Sequence, residues 1–257
     1  MNMNTDIYNN LCYQTAGFSE AEDKVDFIVR RLTVSRDVIQ NTAKATSGQR
    51  DNSLWASVRK GRLTASNFGG VIKSIDSGRQ PATSLMKKLL GQYDIGGLKA
   101  IQWGCTHESV AIAAYEKHTN TSVTPTGIWL STSGCLGASP DGLVGDNKII
   151  EVKCPFRLRE GSIMDDLNAS NPQFFIMLND DGECVLNQHT ADGFNYYHQV
   201  QGNLALTGRE MCDFCVWTPQ DVVIFPVARD ADWQCNIDKL ETFYRNKFLP
   251  EFLNCGI

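Results

Sequence analysis

The amino-acid sequence predicts an α/β sandwich, a mixed β-sheet flanked by helices, and three observations carry that prediction. Apolar residues recur at helical spacing over residues 103–118 and again over 194–206. Between and after these stretches the pattern changes to alternation and short apolar runs, over residues 122–131, 136–144, 148–154, 213–217 and 222–227. A helix, three strands, a second helix and further strands, in that order, place helices against a sheet. With 257 residues, 42% apolar and 21% charged, the chain is long enough to bury a sizeable core.

Taken in order, residues 1–18 are polar and expected to be loosely ordered. Ser19-Glu20-Ala21-Glu22 has the form of a capping box, and Val25, Ile28, Val29 and Leu32 follow at helical spacing. One helix is therefore expected as far as about residue 45, before the break at Thr46-Ser47-Gly48-Gln49. Residues 1–50 read as an N-terminal helical arm on a main domain of residues 51–257. Short helices are expected at 54–58, from Thr64-Ala65-Ser66 onward and at 84–90, with a Gly/Ser/Pro-containing loop at 74–81. The helix at 103–118 shows Val110, Ala111, Ala114 and Tyr115 as its inner stripe. Turns at Ser133-Gly134 and Gly145-Asp146-Asn147 divide the three strands, and a hairpin over 174–186 turns at Asn179-Asp180-Asp181-Gly182. Residues 231–253 read as a closing helix.

Nine irregularly spaced cysteines and a polar N-terminus are expected of reduced thiols in an intracellular protein, nucleus or cytoplasm undetermined. Cys212-x-x-Cys215 lacks the second pair that a structural zinc site needs, and its apolar run favours two small buried side chains. No apolar run approaches a membrane span, so no membrane partner is expected. The net charge of −5 runs mildly against a nucleic-acid partner, but residues 51–99 carry eight basic residues against three acids. A local basic groove is compatible with an acidic total.

The chemistry concentrates at Ser139-Pro140-Asp141-Gly142 and Glu151-Val152-Lys153. The tetrapeptide alone is a common turn, and an acid and an amine two residues apart are usually a solvated face. Here Ile149, Ile150, Val152 and Cys154 surround Glu151 and Lys153, which share one face of a strand that reads as interior. Burying such charges without a partner or metal is costly. Hard divalent cations take oxygen ligands and keep several waters, so two carboxylates, a backbone carbonyl and phosphate oxygens suffice.

The spacing Asp-x9-Glu-x-Lys resembles the PD-(D/E)XK nuclease signature. Further segments resemble its lambda-exonuclease and YqaJ-type viral recombinase branch. They are Trp55-Ala56-Ser57-Val58-Arg59 with Thr64-Ala65-Ser66, then Trp103-Gly104-Cys105-Thr106-His107-Glu108, then Tyr196-Tyr197-His198-Gln199-Val200-Gln201. With Gly137 to Leu143 and Glu151 to Phe156 they run in family order from residue 55 to about 208, and the set is more specific than any member. The resemblance implies a restriction-endonuclease-like fold. It implies that Asp141 and Glu151 hold metal, with the Val152 carbonyl and Glu108, and that Lys153 orients the attacking water. It places Gln199 beside the acids and lysine, leaves Gln201 facing elsewhere, and gives Tyr196 a supporting or packing role. Arg59 and Ser66, with Arg62 as an addition, match the 5′-phosphate-binding residues of lambda-type exonucleases. His107 and His198 occupy no catalytic position of the family and read as supports behind the site or as packing.

The function this implies is an Mg²⁺-dependent deoxyribonuclease, a phosphodiester hydrolase acting as a 5′→3′ exonuclease on double-stranded DNA ends in recombination or replication. One or two ions per site are expected, with Mn²⁺ as a substitute, and an alkaline pH optimum. A single-strand annealing protein and a homo-oligomer are possible partners under the resemblance. An endonuclease or nickase on the same site, and a non-catalytic DNA-end binding module, stay open as alternatives. Residues 157–195 are longer than in the phage lambda-type exonuclease and resemble YqaJ-type domains of eukaryotic and large-virus origin, whereas residues 1–50 have no clear family counterpart.

Overall fold

The computed structural model describes residues 21–93 and 96–255. Its helices are α1 (Ala21–Leu32), α2 (Arg36–Ala45), α3 (Ser53–Arg59), α4 (Ala65–Asp76), α5 (Thr83–Leu89), α6 (Lys99–Thr119), α7 (Ile163–Asn168), α8 (Ala191–Thr207), α9 (Cys235–Phe243) and α10 (Leu249–Asn254). Its strands are β1 (Leu63–Thr64), β2 (Val123–Thr124), β3 (Trp129–Leu130), β4 (Leu136–Ala138), β5 (Gly142–Val144), β6 (Lys148–Lys153), β7 (Ile176–Leu178), β8 (Cys184–Leu186), β9 (Met211–Trp217) and β10 (Val222–Ala228). Contacts divide the chain into two units, one of Met1–Gln92, Thr126–Ser139 and Asp232–Ile257, the other of Tyr93–Pro125 and Pro140–Ala231.

In the first unit, α1 and α2 replace the single helix expected to run to residue 45. Ser35 restarts the helix, its Oγ accepting from Val38 N at 3.4 Å. The capping box at 19–22 and the polar stretch 1–18 fall outside the described residues or their side chains. Asn52 starts α3 in the same way as Ser35, accepting from Leu54 N at 3.0 Å. The closing helix is not continuous: a π-helical turn (Tyr244–Phe248) separates α9 from α10. Pro250 explains the interruption, since it lacks the N–H that would bond Asn246.

Two stretches expected as single strands, 122–131 and 136–144, are each divided in two, at Pro125 and at Pro140. Proline gives no N–H to a ladder and so ends pairing where it falls. The pieces join different sheets. In the first unit a three-stranded sheet has the order β1-β4-β3, and in the second a five-stranded sheet has the order β10-β9-β6-β5-β2.

The five-stranded sheet is mixed, with β6 and β9 parallel and the other neighbours antiparallel. Side chains of β6 and β9 alternate between its faces. Ile149, Cys212, Phe214 and Val216 pack with Val200 and Leu204 of α8 on one face. Val144, Ile150, Val152 and Cys215 pack with Ala111 and Tyr115 of α6 on the other. Burying each such large apolar side chain contributes about 1.5–3 kcal/mol. Val110, expected in the inner stripe of α6, is 47% exposed, and the stripe runs through Ala111, Ile112 and Tyr115 instead. Cys212 and Cys215 are buried on opposite faces, so they cannot chelate one ion together, and the cysteines among the described residues are free. The hairpin β7–β8 forms as expected, with Asn179 Oδ1 accepting from Asp181 N and Glu183 N. No helix among the described residues is long and apolar enough to cross a membrane.

Candidate active site

The site grows from the place where β5 stops. Gly142 is its first paired residue, opposite Ile150. A side chain at Gly142 would place a Cβ 2.2 Å from Val123 Cγ1, so the Pro-Asp-Gly sequence is fixed by close packing as well as by the turn. One residue earlier, Asp141 N still donates to Ile150 O at 3.1 Å, but Pro140 ends the ladder. Val152 N on β6 therefore lacks a strand partner and donates to Asp141 Oδ2 at 2.6 Å. In an extended strand the N–H and C=O of one residue point the same way. The Val152 carbonyl thus points to the side where β5 has ended, which is where the Asp141 carboxylate lies.

Glu151 faces α8 and is 1% exposed. Its Oε1 accepts from Lys153 Nζ at 2.5 Å and from Gln199 Nε2 at 2.6 Å. Its Oε2 accepts from Asn203 Nδ2 at 2.9 Å. Lys153 Nζ also lies 4.7 Å from the centre of the Tyr196 ring, a cation–π contact. Asp141, Glu151, Lys153, Gln199 and Tyr196 are thus brought together. Gln201 is directed away: its amide donates to Ala228 O and accepts from Asp230 N, tying α8 to the end of β10.

The electrostatics are those of too much negative charge. Burial, and then Glu151 and Glu108, hold the Asp141 carboxyl well above its ordinary value, against Lys153 and the Val152 N–H, which pull it down. Burial alone would lower the Lys153 pKa, but Glu151, Tyr196 and Asp141 outweigh it and the net shift is upward. Lys153 is therefore held as an ammonium that supplies charge and hydrogen bonds. Among the described residues no three His, Cys, Asp or Glu side chains gather to enclose a metal ion. A magnesium-type ion keeps waters and borrows phosphate oxygens, so the paired carboxylates and the Val152 carbonyl are a sufficient set of hard oxygen donors. The donor set fits such an ion, and Glu108 supplies further negative charge beside Asp141.

Asn203 was not singled out by any sequence motif. The available signal was its spacing, four residues after Gln199 on one helix. The two histidines pack: His107 stacks between Trp103 (3.7 Å) and Trp217 (5.5 Å), and His198 lies against Phe194 and Tyr197. Burial drives up the Cys154 and Cys215 thiols, each to about 12, so neither is a thiolate nucleophile.

In the first unit, Arg59 lies over the Trp55 ring at 4.2 Å and donates to Thr64 Oγ1 at 3.4 Å. Thr64 Oγ1 and the exposed Ser66 hydroxyl are 3.3 Å apart at the start of α4, where Thr64 makes no side-chain cap. Burial, and then the nearby Arg50, lower the Arg59 pKa to about 10. Backbone N–H groups at the start of a twelve-residue helix and an adjacent guanidinium suit an anion. Arg62 departs from the expectation of an added phosphate ligand. It is buried, and its guanidinium donates to Gly134 O at 2.7 Å and Val58 O at 2.5 Å, bracing its own unit.

A helix on each face of a mixed sheet, with an acid pair and a lysine where a central strand outruns its neighbour, defines a class of protein, and comparison with known families agrees. Residues 54–210 match the YqaJ-like viral recombinase domain, and the chain belongs to that family. An alkaline nuclease of Orgyia pseudotsugata multicapsid polyhedrosis virus is 25% identical over 218 residues, covering 78% of this chain and 48% of that protein. The chain thus spans about half the length of that viral relative. Among solved structures, an alkaline exonuclease from Laribacter hongkongensis is 28% identical, with a TM-score of 0.52 over 79% of this chain and 92% of that one. A phage-related exonuclease from Haemophilus somnus, 18% identical, has a TM-score of 0.53 over 76% and 96% of the two chains. The fold is the restriction-endonuclease-like fold of these alkaline exonucleases.

Proposed function

We propose that this chain is a divalent-metal-dependent deoxyribonuclease that degrades duplex DNA from its ends in the 5′→3′ direction, with Mg²⁺ as its ion and Mn²⁺ as a substitute. The observation that carries this reading is the crowding of Asp141 and Glu151, with Glu108 nearby, around the Lys153 ammonium. Families and folds do not by themselves define activity, but this arrangement meets a specific chemical need. One or two bound ions would supply Lewis-acid activation of water and charge neutralisation at the phosphate.

The residues of the chain have distinct parts in this reading. Asp141, Glu151 and the Val152 carbonyl hold the ion, with Glu108 contributing directly or through water. Lys153, held protonated by its acidic neighbours, orients the attacking water and balances charge on the phosphate. Tyr196 supports the ammonium from its ring face, and Gln199 orders Glu151. Arg59 and Ser66 bind a 5′-phosphate. Residues 51–257 form the nuclease domain and residues 1–50 an arm, in an intracellular protein. A single-strand annealing partner and self-association are compatible with the same reading.

The relatives support it by what they are: the viral protein is an alkaline nuclease, and the bacterial one is an exonuclease also seen in complex with dAMP. The test is digestion of linear duplex DNA with 5′-phosphate or 5′-hydroxyl ends, beside a closed circle, in Mg²⁺ or EDTA. Mg²⁺-dependent loss of linear DNA alone, faster with 5′-phosphate, is the expected result. Cleavage of the circle would make the enzyme an endonuclease on the same site. Binding to ends without cleavage would make it a DNA-end binding module.

A further inference from the structure

The two oxygens of Glu151 are held differently. Oε1 takes two donors that are themselves half-buried, Lys153 and Gln199, whereas Oε2 takes one donor, Asn203, which is 1% exposed. Gln199 and Asn203 lie four residues apart on α8 and so share a helix face. One rigid element therefore grips both oxygens of a single carboxylate. Asn203 Oδ1 has no hydrogen-bond partner, although the residue is buried. Val200 and Leu204, beside it on α8, belong to the apolar core. A leucine would suit that setting better than an amide with an unmet acceptor, because buried polar groups without partners are costly. A residue that breaks the local packing rule and commits its side-chain hydrogen bond to one carboxylate answers to the site, not to folding.

We propose that Asn203 is a positioning residue, whose Nδ2 fixes Oε2 of Glu151 and so sets the carboxylate plane for a divalent cation shared with Asp141. The inference rests on the reading of Asp141 and Glu151 as a metal site. Residues that orient a ligand from outside the coordination shell govern affinity, and losing one typically costs about 10–100-fold.

The test is calorimetric Mn²⁺ binding to the metal-free full chain, without DNA, for wild type, Asn203→Leu, Asn203→Ser and Asp141→Asn. Both Asn203 variants should bind Mn²⁺ about 10–100-fold more weakly, and metal-free N203L should melt no lower than wild type. In Mg²⁺-saturated cleavage assays both should lower kcat with little change in KM for DNA. Wild-type Mn²⁺ affinity in either folded variant overturns the proposal. So does early melting of both metal-free variants, which would make Asn203 a folding residue. D141N separates the two possible failures. If it binds Mn²⁺ as wild type does, the metal-site reading itself is wrong. If it alone loses binding, only the role of Asn203 falls.

Discussion

Two buried carboxylates sit on neighbouring strands of the same sheet and face opposite sides. Glu151 on β6 looks toward α8, and Asp213 on β9 looks toward α6. Each has a lysine and a tyrosine nearby, yet their surroundings differ in kind. Asp213 accepts from the Tyr115 hydroxyl at 2.6 Å, and Lys148 Nζ lies 3.3 Å from both of its oxygens. One negative charge meets one positive charge and one neutral donor, and Tyr115 is held in its protonated form by burial and by Asp213. Glu151 is equally well supplied with donors, but it shares its lysine with Asp141, which also feels Glu108. Residue type and burial do not separate the two acids; the local charge balance does, and on the proposed reading it marks the functional one. A balanced acid is complete as folded, and a crowded one calls for a cation.

That contrast can be broken in order of size. Asp141→Asn keeps an acceptor for Val152 N but removes charge from the crowded site, and should lower DNA cleavage about 10³-fold or more, measured under single-turnover conditions. Lys153→Met keeps the apolar stem against Tyr196 and removes the ammonium. It should lower kcat about 10²–10³-fold, with KM for DNA changed far less; an unchanged kcat would remove Lys153 from the chemistry.

A pH effect on stability comes next. The folded protein holds the Asp141 proton above the ordinary carboxylate value of 3.8, so that proton stabilises the fold at low pH. This contribution is lost as pH rises through the raised value. The metal-free melting temperature of the wild type, taken relative to that of D141N, should therefore fall as pH rises from the acid range toward neutrality. If Asp141 binds the ion as proposed, saturating Mg²⁺ should flatten that difference by favouring the ionised form. A wild-type-minus-D141N difference in metal-free melting temperature that climbs with pH would mean that the Asp141 shift has the opposite sign. The smallest effect belongs to the balanced acid. Asp213→Asn retains an acceptor for Tyr115 and loses only a half-exposed ion pair. It should cost about 1 kcal/mol, or about 2–4 °C in melting temperature, with cleavage near wild type.

How far the sequence carried depended on whether the signal was local. The alternation over residues 148–154 marked β6, and the spacing from Asp141 to Glu151 fits two antiparallel strands joined by a short turn. Helices α6 and α8 were legible for the same reason, since each covers a sheet face with a periodic stripe. What was not legible lay in tertiary structure. Alternation continued across Pro125 and Pro140, which hid the division of two strands between two sheets. Nothing in its flanking residues showed that Arg62 turns inward to the Gly134 carbonyl, distant in sequence. Asn203 was hidden because an asparagine among apolar helix residues has no meaning until the carboxylate it meets is in place. Val110 failed for a simpler reason: one apolar residue can be left outside a stripe at no great cost.

The most direct test of the charge-balance account is the Mg²⁺-dependent rate of linear duplex DNA degradation for Glu151→Gln and Asp213→Asn side by side, normalised to the folded fraction of each. The account predicts that E151Q loses about 10³-fold or more while D213N stays within a few-fold of wild type. Equal losses in the two variants, or an active E151Q, would contradict it.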